Sequence, residues 1–129
     1  LMYHFMQEKR ICGTLKNGTL SAQAELSVLD LSVNCLELIE PGTFDRLKKL
    51  QLLYLHSNRL ETLHKGIFDM PVLAELFIYS NRLKELDSSH FSAGGLTSLT
   101  KLSAHINEIG RIEDNIFTGF ASLDKLFLL

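Results

Sequence analysis

"LYLHSNRLETL" occupies Leu53–Leu63, and "LFIYSNRLKEL" occupies Leu76–Leu86, 23 positions later. The shared letters define a template, L-x-x-L-x-L-x-x-N-x-L-x-x-L, that can be followed outward in both directions. Units open at Leu26, Leu50, Leu73, Leu99 and Leu123, at spacings of 24, 23, 26 and 24. Each full unit then adds a phenylalanine 18 residues after its start: Phe44, Phe68, Phe91 and Phe117. Within the four full units only Ala104 departs from the expected aliphatic, Asn or Phe. A repeat of this length is one supersecondary unit that cannot bury its own apolar face, so stability must come from stacked neighbours.

Each letter has a physical role. The x-L-x-L-x segment alternates with period two, the mark of a short strand with one buried face. Asn34, Asn58, Asn81 and Asn107 recur where the chain leaves the strand. An asparagine there bonds backbone groups that the bend strips of partners, and stacking turns four of them into a ladder. The later leucines and the phenylalanines fill the coil. The expected fold is α/β: a right-handed solenoid with a curved parallel sheet on its concave side and an irregular or 3₁₀ convex side. Four full units and a truncated fifth span 26–129, preceded by an irregular, cap-like segment over 1–25. The surplus of the third unit lies in "HFSAGGLTSL" (His90–Leu99), where Gly94 and Gly95 suggest a convex loop. The last segment, "LDKLFLL" (Leu123–Leu129), reads as a strand with no return, so a continuing chain or a second copy is expected to cover that edge.

Bulk properties exclude several classes. The 129 residues are 46% hydrophobic and 22% charged, ordinary for one soluble domain. Thirteen Lys and Arg against fifteen Asp and Glu leave a net charge of −2, so no basic field points to nucleic acid. No apolar run approaches the ~20 residues of a membrane span. No basic-then-apolar leader opens the sequence, so a secreted protein would be represented by its mature form.

The residues that differ between repeats fall on the exposed strand face. They are Val28, Asp30 and Ser32; Leu52, Tyr54 and His56; Glu75, Phe77 and Tyr79; Lys101, Ser103 and His105; Lys125, Phe127 and Leu129. Aromatics with adaptable polar neighbours are what protein-binding surfaces favour. Cross-strand packing of aromatic pairs is the plainer alternative. Charge is graded along this face, acidic at Asp30 and Glu75, basic at Lys101 and Lys125. His56 and His105 share a template position two units apart, roughly 10 Å, too far for one zinc ion, and no metal or cofactor is expected. As a catalytic base His56 would need a nucleophile and an orienting acid in reach; Ser32 and Ser57 are near in sequence, but Ser57 has no obvious activation and a flat sheet lacks an enclosed pocket, so no enzyme is expected. Arg59 and Arg82, each after a ladder asparagine, are expected at the rim of the sheet as solvated charges.

The repeat resembles the extracellular, ~24-residue class of leucine-rich repeat over Leu26–Leu129. The phrases "LDLSVN" (Leu29–Asn34) and "PGTFDRLKKLQLLYLHSNRL" (Pro41–Leu60) are most similar to variable lymphocyte receptors of jawless vertebrates and their chordate relatives, and next to Toll-like receptor ectodomains. That resemblance implies an extracellular, non-enzymatic immune-type recognition module, with a protein or glycan ligand (antigen or microbial) on the strand face. The rival expectation is a structural or adhesion module that self-associates as a homo-oligomer through its C-terminal edge. "CGTLKNGTLSAQAELSVLDL" (Cys12–Leu31) loosely resembles the tail of an N-terminal cap with one cysteine instead of several. A Cys12–Cys35 bridge would tie it to the first unit; two free thiols are the alternative. Asn17-Gly18-Thr19 is the single sequon for N-glycosylation.

Overall fold

The computed structural model describes residues 3–7, 9–91, 96–112 and 120–128. Phe117, Gly94, Gly95 and Leu129 lie outside the described residues, so the expectations placed on them go no further. Among the described residues there are ten strands, named in chain order: β1 (Tyr3–Phe5), β2 (Cys12–Leu15), β3 (Val28–Asp30), β4 (Cys35–Ile39), β5 (Leu52–Tyr54), β6 (Glu75–Phe77), β7 (Glu85–Leu86), β8 (Lys101–Ser103), β9 (Arg111–Ile112) and β10 (Lys125–Phe127). One 3₁₀ turn, Ser88–His90, joins them.

The main sheet has the order β1-β3-β5-β6-β8-β10, parallel throughout and in strict register. Two pairs, β2–β4 and β7–β9, form small parallel sheets where the coil turns away. The chain is therefore a solenoid of stacked coils, as the repeat requires. Period two decides the faces. Leu29, Leu53, Leu76 and Leu102 are fully buried, while Tyr54 and Phe77 beside them on β5 and β6 are half-buried on the opposite face. Leu31, Leu55, Ile78 and Ala104 form the next buried column, so alanine keeps the inward place without the bulk. Phe44, Phe68 and Phe91 close the coil from behind, with Phe68 and Phe91 ring centroids 5.6 Å apart.

The bend after each strand is made one way four times. Val33, Ser57, Ser80 and Ile106 adopt left-handed backbone, with φ between 52 and 59°. For Val and Ile this is a strained choice. The following asparagine supplies the compensation. Asn58 Nδ2 donates to the carbonyls of Leu31, Leu55 and His56, and its Oδ1 accepts from the Leu36 N–H. Asn81 and Asn107 repeat this pattern one and two coils on. Asn34 makes it toward the N-terminal segment, donating to Met6 and accepting from Ile11. Each asparagine thus bonds its own bend and the coil before it.

Within the cap-like segment, the described residues hold two strands: β1 pairs with β3 and β2 with β4. Its sequence hides this because His4 and Met6 stand where later coils have leucine, and it has no ladder asparagine at the matching place. A Cys12–Cys35 disulfide crosses the β2–β4 pair. Closing a 23-residue separation contributes about 3 kcal/mol in the chain-entropy account.

Candidate functional site

Parallel register brings equivalent residues of successive strands side by side on the open face. Tyr54 stacks on Phe77, centroids 4.8 Å apart and planes 9° off parallel. One template position on, His56, Tyr79 and His105 stack as three rings, at 4.4 and 4.7 Å. Tyr54 meets His56 edge-on at 6.3 Å, joining the two columns. Phe127 stands edge-on to His105 at 6.1 Å and is 47% exposed. The rings keep to strand spacing because the backbone does, and face-to-face contact follows from it.

Polar groups frame the columns. Asp30 is at the first strand of the set, where its Oδ1 accepts from the Ser32 N–H at 3.0 Å and from Ser32 Oγ. Glu75 and Lys101 are opposite one another across β6 and β8, and Lys125 follows on β10. Lys101 Nζ lies 5.1 Å from the Phe77 ring centroid, a cation over a π face. Leu52 is half-buried at the row's start, and Ser103 is almost wholly buried between its neighbours. Val28, read as part of this face, is buried as well. Together Tyr54, His56, Phe77, Tyr79, Ser103 and Phe127 line a shallow hollow of about 480 Å³.

Burial pushes the Tyr54 hydroxyl's pKa up, with the carboxylates of Glu75 and Asp30 adding to it. Burial also lowers the His56 pKa, and Asp30 opposes that shift. Both effects favour the neutral form at neutral pH, so the aromatic face is uncharged at its centre and carries charge at its edges.

The face presents ring surface framed by charge. Tyr79 fills the space between His56 and His105, so these two imidazoles are not a metal pair, and the described residues hold no cluster of three metal-ligating side chains. Ser57 Oγ, the serine beside His56 in sequence, does lie 3.1 Å from His56 Nδ1. A nucleophile needs its base oriented by a third group. Asp30 is committed to Ser32, and no described carboxylate bonds His56. The hollow is also open, without the enclosure that catalysis prefers.

Other candidate residues are away from this face. Asn17 is exposed on the turn after β2, its side chain against Gly42, where an added Cβ would come within 3.1 Å. Thr19 Oγ1 donates to the Lys16 carbonyl. Arg59 and Arg82 are exposed beside the ladder. A flank depression of about 580 Å³, lined in part by Lys65, Lys84, Asp87 and Arg111, had no sequence signal, since those residues come from three different coils.

The model of the leucine rich repeat family matches residues 12–60 and 49–105. No curated protein sequence matches the chain. Among solved structures, a chain of the Drosophila melanogaster SNF/U2A' complex superposes with a TM-score of 0.67 at 23% identity, over 94% of this chain and 69% of that one. At that identity the likeness shows the fold.

Proposed function

The chain belongs to the leucine-rich repeat family, and from that premise we propose that it is a non-enzymatic recognition module, binding a protein or glycan on its strand face. Leucine-rich repeat domains are protein-interaction modules, and the solved neighbour is itself part of a complex. The observation that carries the proposal is the pair of exposed ring columns, Tyr54–Phe77 and His56–Tyr79–His105. The core is complete beneath them, so the fold does not need five rings there.

The finer reading is an extracellular module of immune-receptor type, with an antigen or microbial ligand. The Cys12–Cys35 disulfide supports an oxidising compartment. An N-linked glycan on exposed Asn17 belongs to the same reading; it would sit off the strand face. The test is binding of the chain to protein and glycan arrays, beside the Tyr54→Ala/Tyr79→Ala double variant. Loss of at least ~10-fold in affinity with an unchanged melting profile supports the reading. Undiminished binding by the variant overturns it.

A second reading is self-association. Leu126 is 39% exposed where Leu102, one coil earlier, is fully buried, and Leu126, Phe127, Leu128 and His105 line an apolar hollow of about 460 Å³. A second copy pairing there gives a dimer that Phe127→Asp dissociates. Light scattering across a concentration range tests it: a concentration-independent 14.6 kDa monomer removes the reading.

A further inference from the structure

The Tyr54–Phe77 column has a gap in it. In strand register the next places are Ser103 and then Phe127. Two strand spacings, about 10 Å, separate Phe77 from Phe127. Ser103 forms the floor of the slot between them, 3% exposed.

Two donors flank this slot. Lys101 Nζ rests over the Phe77 ring and makes no ion pair with any described residue. Glu75 faces it from β6, yet the ammonium leans on the ring instead, and Lys125 on β10 adds a second cation to the row. His105 supplies the other donor. Its Nδ1 is buried and has no hydrogen-bond partner. A buried N–H without an acceptor is costly, whereas a bare ring nitrogen leaves no donor unmade. The tautomer that avoids a buried unmet donor is the one with its proton on Nε2. The slot thus offers an ammonium and an imidazole N–H, and neither Glu75 nor any other described carboxylate is ion-paired with the ammonium.

We propose that the slot over Ser103, between Phe77 and Phe127, is a subsite for a carboxylate on a short aliphatic stem, such as a glutamate side chain of a partner protein. The carboxylate accepts from Lys101 Nζ and His105 Nε2, and the stem lies against the Phe127 ring, Lys101 covering the Phe77 face. Those rings exclude water from one side of the pair and strengthen its attraction. This rests on the strand face being the ligand surface, and it names the group recognised there.

The test is an NMR titration of the folded chain with two capped amino acids, N-acetyl-glutamate α-methylamide and N-acetyl-glutamine methylamide, which differ only in the carboxylate. Saturable shifts centred on Lys101, Ser103 and His105, at least ~5-fold weaker for the glutamine probe, are expected. Lys101→Met should erase the difference between probes, and Ser103→Phe should fill the slot and lose both. Ring ¹⁵N shifts should show the Nε2–H tautomer of His105. Equal response to the two probes, shifts spread over exposed lysines such as Lys48 and Lys49, or an Nδ1–H tautomer overturns the proposal. A partner whose binding is sensitive to Tyr54→Ala/Tyr79→Ala beside a flat glutamate titration removes the subsite alone. A partner insensitive to those changes removes the strand-face reading and leaves the titration to decide the slot.

Discussion

Two ladders cross the coils side by side, one inside the protein and one outside. The inner one is asparagine: Asn58 and Asn81 are buried, and each commits its amide to four backbone groups. The outer one is aromatic: His56, Tyr79 and His105 touch ring to ring on a half-buried face. Both repeat at the coil spacing, yet they do opposite work. The inner amide is hard to replace, because one short side chain must donate to three carbonyls and accept from an N–H at that bend. The outer ring can be replaced by another planar group, as Tyr79 between two histidines shows. Fold is written in one ladder and the proposed recognition surface in the other, within a few residues of each other along the chain.

The sharpest way to break this comparison is at the inner ladder. Asn58→Ala orphans the buried Leu36 N–H and takes one of two donors from each of the carbonyls of Leu31, Leu55 and His56, which keep Asn34, Asn81 and the Val33 N–H. The unmet N–H costs about 1–3 kcal/mol, and each lost amide–carbonyl bond about 0.5–1.5 kcal/mol. A loss of about 3–4 kcal/mol is expected in denaturant unfolding, enough to unfold a marginal domain. A loss below about 1 kcal/mol would mean that water replaces the amide and that the ladder is not what fixes the bend.

The N-terminal coil sharpens the comparison, because it has no asparagine of its own at the matching place and its junction carries a disulfide besides the Asn34 bonds. Cys12→Ser with Cys35→Ser should lower stability by about 3 kcal/mol. The loss should be local: amide exchange should rise over β1 and β2 while β5, β6 and β8 keep their protection. Uniform loss along the chain would mean that the coils unfold as one unit and that the first junction is not a separate one.

How far these features were legible follows from the same distinction. Interior requirements repeat, so Leu53, Asn58, Leu60 and Phe68 and their equivalents could be aligned by eye, and the solenoid followed. The strand pairing of the segment at 3–25 was not legible because His4 and Met6 occupy the places that leucine holds in later coils and no asparagine marks its bend. Its backbone joins the sheet through hydrogen bonds, which leave no trace in side-chain pattern. The open face was legible as a set of positions, since period two fixes which residues share it. Its geometry was not. That Lys101 lies over Phe77, that Ser57 meets His56, or that His105 Nδ1 is left without a partner depends on rotamers and neighbours from other coils.

At the outer ladder the expected effect on stability is smaller. Tyr79→Ala removes two stacked contacts, each worth about 0.5–1.5 kcal/mol beyond burial. Exposure reduces that, and a loss of about 1 kcal/mol is expected. If Tyr79→Ala destabilises as much as Asn58→Ala, the aromatic columns are part of the core and the division between the ladders fails.

The smallest effect is one of pH, and it separates the ladders by chemistry, because the asparagines do not titrate and the histidines do. Burial holds the His56 pKa below the ordinary histidine value in the folded chain, with Asp30 pulling weakly the other way. For a base whose folded pKa is depressed, the unfolded chain binds the proton more readily. Its contribution to stability is therefore fully present above the unfolded value, about 6.5, and is lost as pH falls through the folded value. His56 is only partly shielded, so the change in melting midpoint between pH 7.5 and 5 should be under about 3 °C. The Asp87 carboxyl, held low chiefly by its hydrogen bonds from Ser89, titrates well below this window and does not confuse it. His56→Gln keeps a planar polar group but removes the proton site, so the variant's midpoint should fall less than the parent's over the same interval. An equal fall in both would place the acid sensitivity elsewhere in the chain, and the outer ladder would then be indifferent to charge.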